Sequence, residues 1–262
     1  MSDLHKRVIT GIFIFLFILF ISLINKYILL LGITVLSVLS ILEMDNALKK
    51  IGFESLLNIA ISFNIIFILS ANYIDTSLLF VSIVIYFILL FILYVLKKDM
   101  KFQSLLSNIF MFCYITFPYI LLGLIHDMRW VLFSFLISSV TDTFAYFSGI
   151  LFGKHKLIER LSPKKTIEGA IGGIIGSVLF TILFVNVFKI EHSILIYIFS
   201  IMVSAISQIG DLFASHIKRD IGIKDYSNIL KAHGGIMDRF DSLLLIAPLI
   251  YLLDYLMRFV LW

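Results

Sequence analysis

The eleven residues Lys231–Asp241, KAHGGIMDRFD, bring His233, Gly234, Gly235, Asp238, Arg239 and Asp241 together in an otherwise apolar chain. Asp238 and Asp241 are three apart, so on a helix they share a face. Two acids placed this way can complement a helix N-terminus. They can also hold a divalent cation, since Mg²⁺ takes one or two carboxylates plus substrate phosphates. A Gly-Gly pair lets a backbone approach a ligand closely, and successive N–H groups in such a turn cradle anions. His233 suits a ligand, an acid–base group or a phosphate partner, and its neighbours leave that choice open. Two further acids, Asp142 and Asp211, lie upstream in apolar runs. An ionisable group deep in such a run needs a wet cavity or a partner. The basic groups are Lys164-Lys165 within SPKKTIEG, Lys218-Arg219 and Arg239. Arg offers bidentate contacts to phosphate oxygens and Lys a point charge, although cytoplasmic anchoring accounts for some of these residues equally well. Acids for a metal, bases for phosphate and a close-approach turn together predict phosphate chemistry.

The elements that must position these groups are membrane helices. Of 262 residues, 61% are hydrophobic and only 15% charged, and the mean hydropathy is +1.07. A soluble domain carries about 25% charged residues, and one of this size could not hide so much apolar surface. Spans need about 20 apolar residues. The pattern predicts an all-α polytopic protein with nine spans: Val8–Asn25, Tyr27–Leu42, Ile51–Ala71, Ser77–Leu96, Ser104–Ile125, Trp130–Ile150, Glu168–Phe188, Ser193–Ser215 and Ser242–Leu261. The second is short, and the first two suit a tight hairpin. The first resembles a signal peptide, but no small-x-small cleavage site follows it, so it is expected to stay as an orienting span. The division expected is 1–125 as scaffold and 126–262 as catalytic domain.

Alternate loops differ sharply in charge. Seventeen of the 21 Lys and Arg residues fall on the side of the N-terminus. The positive-inside rule then places that side, and the polar stretches Gly153–Ile167 and His216–Asp241, in the cytoplasm. The expected location is a bacterial-type inner membrane. Basic residues confined to short loops between apolar runs argue against nucleic-acid binding. The single cysteine, Cys113, excludes an internal disulfide. Gly169, Gly172, Gly173 and Gly176 have the spacing of a close helix–helix contact. There is no Walker loop, kinase motif set or HExxH metalloprotease motif.

The stretch Ser215–Asp241, SHIKRDIGIKDYSNILKAHGGIMDRFD, resembles the phosphatidate cytidylyltransferase (CDP-diglyceride synthase) family. Ser215, Lys218-Arg219, Lys224-Asp225, Ser227 and His233 through Asp241 carry the likeness at fixed spacing across 27 residues. DTFAY, GILFGK, SPKKTIEG and GDLFAS look like further family elements, so the likeness covers the C-terminal half. The family usually has Pro-Gly before the His, where this chain has Lys231-Ala232. The resemblance implies transfer of CMP from CTP to phosphatidate, giving CDP-diacylglycerol and pyrophosphate with Mg²⁺. It is compatible with a second, monovalent cation and with a homodimer. It implies Asp211 and Asp238 as metal ligands, with Asp142 and Asp241 as ligands or their support, and Lys218, Arg219 and Arg239 as phosphate-binding groups. His233, Gly234 and Gly235 would shape the nucleotide phosphate site. Lys164, Lys165, Ser215, Lys224 and Asp225 would bind substrate. The rival readings are another CTP-dependent enzyme acting on a different lipid phosphate, and an ion-coupled transporter using Asp142 and the glycine-rich helix. Activity on a substrate panel separates the first, and ion flux that ignores CTP the second.

Overall fold

The computed structural model describes residues 25–71, 76–230 and 234–260. Within them, seven helices are long and apolar enough to cross a membrane, and the chain is an all-α integral membrane protein. The expected span Val8–Asn25 lies almost wholly outside the described residues. The helices are α1 (Lys26–Lys49), α2 (Leu57–Ser70), α3 (Thr76–Leu96), α4 (Phe102–Leu124), α5 (Met128–Phe152), α6 (Ile167–Val187), α7 (Ile194–Ile221) and α8 (Met237–Val260). Strands β1 (Lys156–Ile158) and β2 (Ser162–Thr166) form an antiparallel hairpin between α5 and α6. The chain forms two compact units. One comprises the described residues up to Leu124 together with Ile221–Arg239, and the other Ile125–Asp220 with the described residues from Phe240 onward.

Two expected spans change length. The run expected to stop at Leu42 continues as helix to Lys49. Asp45 in that extension is buried, but it accepts a hydrogen bond from Ser55 Oγ (2.5 Å) and pairs with Lys49 (2.6 Å). Partnered acids can be carried into a helix that unpartnered acids would end. The expected span Ile51–Ala71 contains instead a 14-residue helix, Leu57–Ser70, about 21 Å long and short of the roughly 30 Å hydrocarbon layer. Gly52 at φ +80° turns the chain between α1 and α2.

In the first unit, α1 is joined to α2 by Asn64 Nδ2 donating to Ser37 Oγ (2.7 Å), and to α4 by Ser40 and the buried Tyr119 hydroxyl (3.3 Å). Phe67, Tyr86 and Phe112 fill the space between α2, α3 and α4. Helix α4 widens to a π turn at Phe112–Thr116, just before Pro118. Proline lacks an N–H and its ring presses on the preceding turn, and a π turn absorbs both defects.

In the second unit, α5 and α6 are the closest helix pair, and glycine makes that approach possible. A Cβ at Gly169 would stand 2.7 Å from the Ala145 carbonyl oxygen, one at Gly172 would collide with Ser148, and one at Gly176 with the Phe144 ring. The Gly169–Gly176 spacing therefore acts in packing, as expected. Thr166 ends β2 and caps α6, its Oγ1 accepting from Gly169 N (3.1 Å). Gly149, Gly153 and Gly169 leave the room that Thr166 occupies.

Candidate functional site

One face of α7 repeats polar residues at three- and four-residue intervals: Ser200, Ser204, Ser207, Gln208, Asp211, Ser215 and Lys218. That spacing makes a continuous stripe on a helix. The stripe faces the interior of the second unit. Thr181 Oγ1 donates to Ser200 (2.7 Å) and Thr141 Oγ1 to Ser204 (3.1 Å), while Ser207 lies 3.2 Å from Ser138, itself 2.7 Å from Ser242. Gln208 Nε2 donates to the Ala170 carbonyl (3.2 Å). Hydroxyls between apolar helices act as directional glue where hydrophobicity alone cannot choose a rotation. They tie α5 and α6 to α7, and α8 to α5.

Asp211 points to the hairpin, where Lys165 of β2 forms an ion pair with it. Both line a cavity of about 680 Å³ with Asp142, Tyr146, Lys156 and Lys164. The hairpin is thus what the expected loop Gly153–Ile167 becomes. Pairing of Lys156 with Thr166 and of Ile158 with Ser162 fixes where its lysines stand. The hairpin is further tied down by Glu168, whose Oε2 accepts from the amides of Lys154 (3.1 Å) and His155 (3.2 Å).

Asp241 is 6% exposed in the first turns of α8. The charges of Asp211, Lys218 and Asp142 all act on it. Three of the four expected acids, Asp142, Asp211 and Asp241, are therefore electrostatically joined within one unit, with Lys165 and Lys218 as counter-charges. Among the described residues, no three His, Cys, Asp or Glu side chains stand as a ready-made metal cage. At Asp211 the counter-charge is the Lys165 ammonium. Ser215 and Arg219 follow on the same helix.

The remaining expected residues belong to the first unit. Gly222, at φ +77°, ends α7 and starts a loop that carries Lys224 and Asp225, both exposed. Asp238 Oδ2 accepts from the amides of Tyr226 (2.9 Å) and Gly235 (2.9 Å), so it gathers both ends of the loop. Gly234 stands at φ +78°, where a side chain would also meet the Asp238 carboxylate at 2.8 Å. That answers why glycine is needed there. Arg239 is exposed in the first turn of α8. Lys231, Ala232 and His233 lie outside the described residues.

Glu43 belongs to none of the motifs above. It is 2% exposed in α1, and its carboxylate accepts from Ser227 Oγ and from the Ile236 and Met237 amides. The available signal was an EMD triplet inside an apolar helix, an expense that requires a partner. The α7 stripe was also legible, as a polar period within a hydrophobic span.

A profile of the Cytidylyltransferase family matches residues 5–257. The phosphatidate cytidylyltransferase of Staphylococcus epidermidis is 39% identical over 150 residues, covering 54% of this chain and 58% of that protein. Those of Staphylococcus saprophyticus and Staphylococcus aureus are 38% identical over 152 residues and 36% over 150, with the same coverage. The matched stretch thus spans little more than half the length of these relatives.

Proposed function

The chain belongs to the Cytidylyltransferase family, and on that premise we propose that it joins CTP to phosphatidate, releasing pyrophosphate and leaving CDP-diacylglycerol in the membrane. An oxygen of the lipid phosphate attacks the α-phosphorus of CTP. The new P–O bond forms as the α–β anhydride breaks, and pyrophosphate leaves with the electron pair. Both reactants are anions, so their approach requires positive charge that is already in place.

The observation that carries this reading is in the second unit, where Asp142 and Asp211 line one cavity with Lys164 and Lys165, and Lys165 is ion-paired with Asp211. In this proposal Lys164 and Lys165 meet substrate phosphate from the hairpin, and Lys218 and Arg219 do so from α7. Carboxylate oxygens suit Mg²⁺, which usually reaches a site with substrate phosphates and several waters and needs only one or two protein ligands. An acid cluster without a preformed cage fits that habit. Asp211, Asp142 and Asp241 would hold the ion, whose charge would offset that of the leaving pyrophosphate. Asp238, predicted as a ligand, has Oδ2 engaged by two amides; its proposed part is to shape the nucleotide loop. The charge asymmetry of the loops supports a cytoplasmic site in an inner membrane.

The test is the purified full chain in detergent with radiolabelled CTP, phosphatidate and Mg²⁺. CDP-lipid and pyrophosphate should appear in equal amounts, and EDTA should stop both. Transfer of the γ-phosphate, or no CTP consumption by well-folded protein, would overturn the proposal.

A further inference from the structure

We propose that Glu43 is a positioning residue for the nucleotide loop: from α1 it ties Ser227 to Ile236 and Met237, and so sets Gly234 and Gly235 for the approach of CTP. The inference rests on the functional reading above. Three donors converge on one buried carboxylate. Ser227 Oγ (2.5 Å) and Ile236 N (2.9 Å) reach Oε1, and Met237 N (2.8 Å) reaches Oε2. Ser227 lies near one end of the loop, Ile236 and Met237 at the other, and Ser227 stands 184 positions along the chain from Glu43. Met237 begins α8, so its amide is among those a helix cannot satisfy internally. A carboxylate only accepts hydrogen bonds, and so suits a site where every neighbour donates.

The fit also explains Gly235. A Cβ there would lie 2.5 Å from Glu43 Oε2. A free carboxylate could swing aside, but this one is held by three hydrogen bonds. Gly235 in turn donates to Asp238 Oδ2, which also receives Tyr226 N. Glu43 and Asp238 thus each join the start of the loop to its end, and Gly234 and Gly235 sit between their anchors, with Lys224 and Asp225 just before the first of them. A helix cap alone would serve stability. A clamp across both ends of a substrate loop also sets how the nucleotide is received.

The experiment measures steady-state kinetics and amide hydrogen exchange on the full chain carrying E43Q, E43A or S227A. Gln retains one accepting oxygen but turns an NH₂ toward a donor, so E43Q should raise KM for CTP by roughly tenfold, and E43A by more. S227A removes one of the three donors to Glu43, together with the acceptor of the Ile229 amide, and should raise it about threefold. KM for phosphatidate should stay within twofold in E43Q and S227A, and exchange at Ile236 and Met237 should quicken in E43Q. A merely structural role would lower the active fraction and kcat while leaving KM for CTP unchanged, and that pattern would overturn the proposal. If the wild-type chain makes no CDP-lipid, the functional reading fails while the clamp is still tested. Faster exchange at Ile236 and Met237 in E43Q upholds it, and unchanged exchange refutes it.

Discussion

Lys165, on the second strand of the hairpin, is ion-paired with Asp211, midway along the polar stripe of α7. The pair connects the two polar segments of the second unit, and it sets the ammonium against the carboxylate at the edge of the cavity. A half-buried pair of this kind is worth more than a surface one, because water screens it less.

If Lys165 serves as both counter-charge and phosphate ligand, K165Q should lower kcat/KM by about 30-fold or more, the loss expected for a charged hydrogen bond. K165R should recover part of it. Initial rates against CTP and lipid check this, and a K165Q enzyme within threefold of wild type would remove Lys165 from the site.

The acid cluster predicts how Mg²⁺ dependence should change. D211N and D142N each remove a negative oxygen from the group around Asp241. In either variant the Mg²⁺ concentration for half-maximal turnover should rise by about tenfold, with residual activity recovered at high Mg²⁺. Titrations that superimpose on wild type would place the metal elsewhere.

Close packing of α5 on α6 depends on absent side chains. G176A would place a methyl in the Phe144 ring and should cost about 1–3 kcal/mol through overpacking. The measurement is the thermal midpoint in detergent. A midpoint equal to that of wild type would show that the two helices separate more easily than their spacing suggests.

Orientation is open to a labelling test. Cys113 is the only cysteine. In a C113S background, K164C in the hairpin and E191C between α6 and α7 lie at opposite ends of α6. An impermeant maleimide added to intact cells should label E191C, and K164C only after lysis. The opposite result would invert the proposed topology.

The sequence alone established the solvent. Apolar runs of span length and scarce charge leave a bilayer as the environment, and backbone groups in lipid must be satisfied within each segment, so helices follow. Motif spacing marked Asp142, Asp211, Asp238, Asp241 and the lysine and glycine positions, because those groups are costly in a membrane helix unless used. Tertiary structure decided which of them meet. The end of α1 moved because Asp45 found partners in Ser55 and Lys49. The loop after α5 became a hairpin, and that placed Lys165 against Asp211. Glu43 took its part only through donors nearly two hundred residues away. Local patterns report what each residue costs in its own segment; the partner that offsets the cost comes from a distant part of the chain, and only the folded packing of helices identifies it.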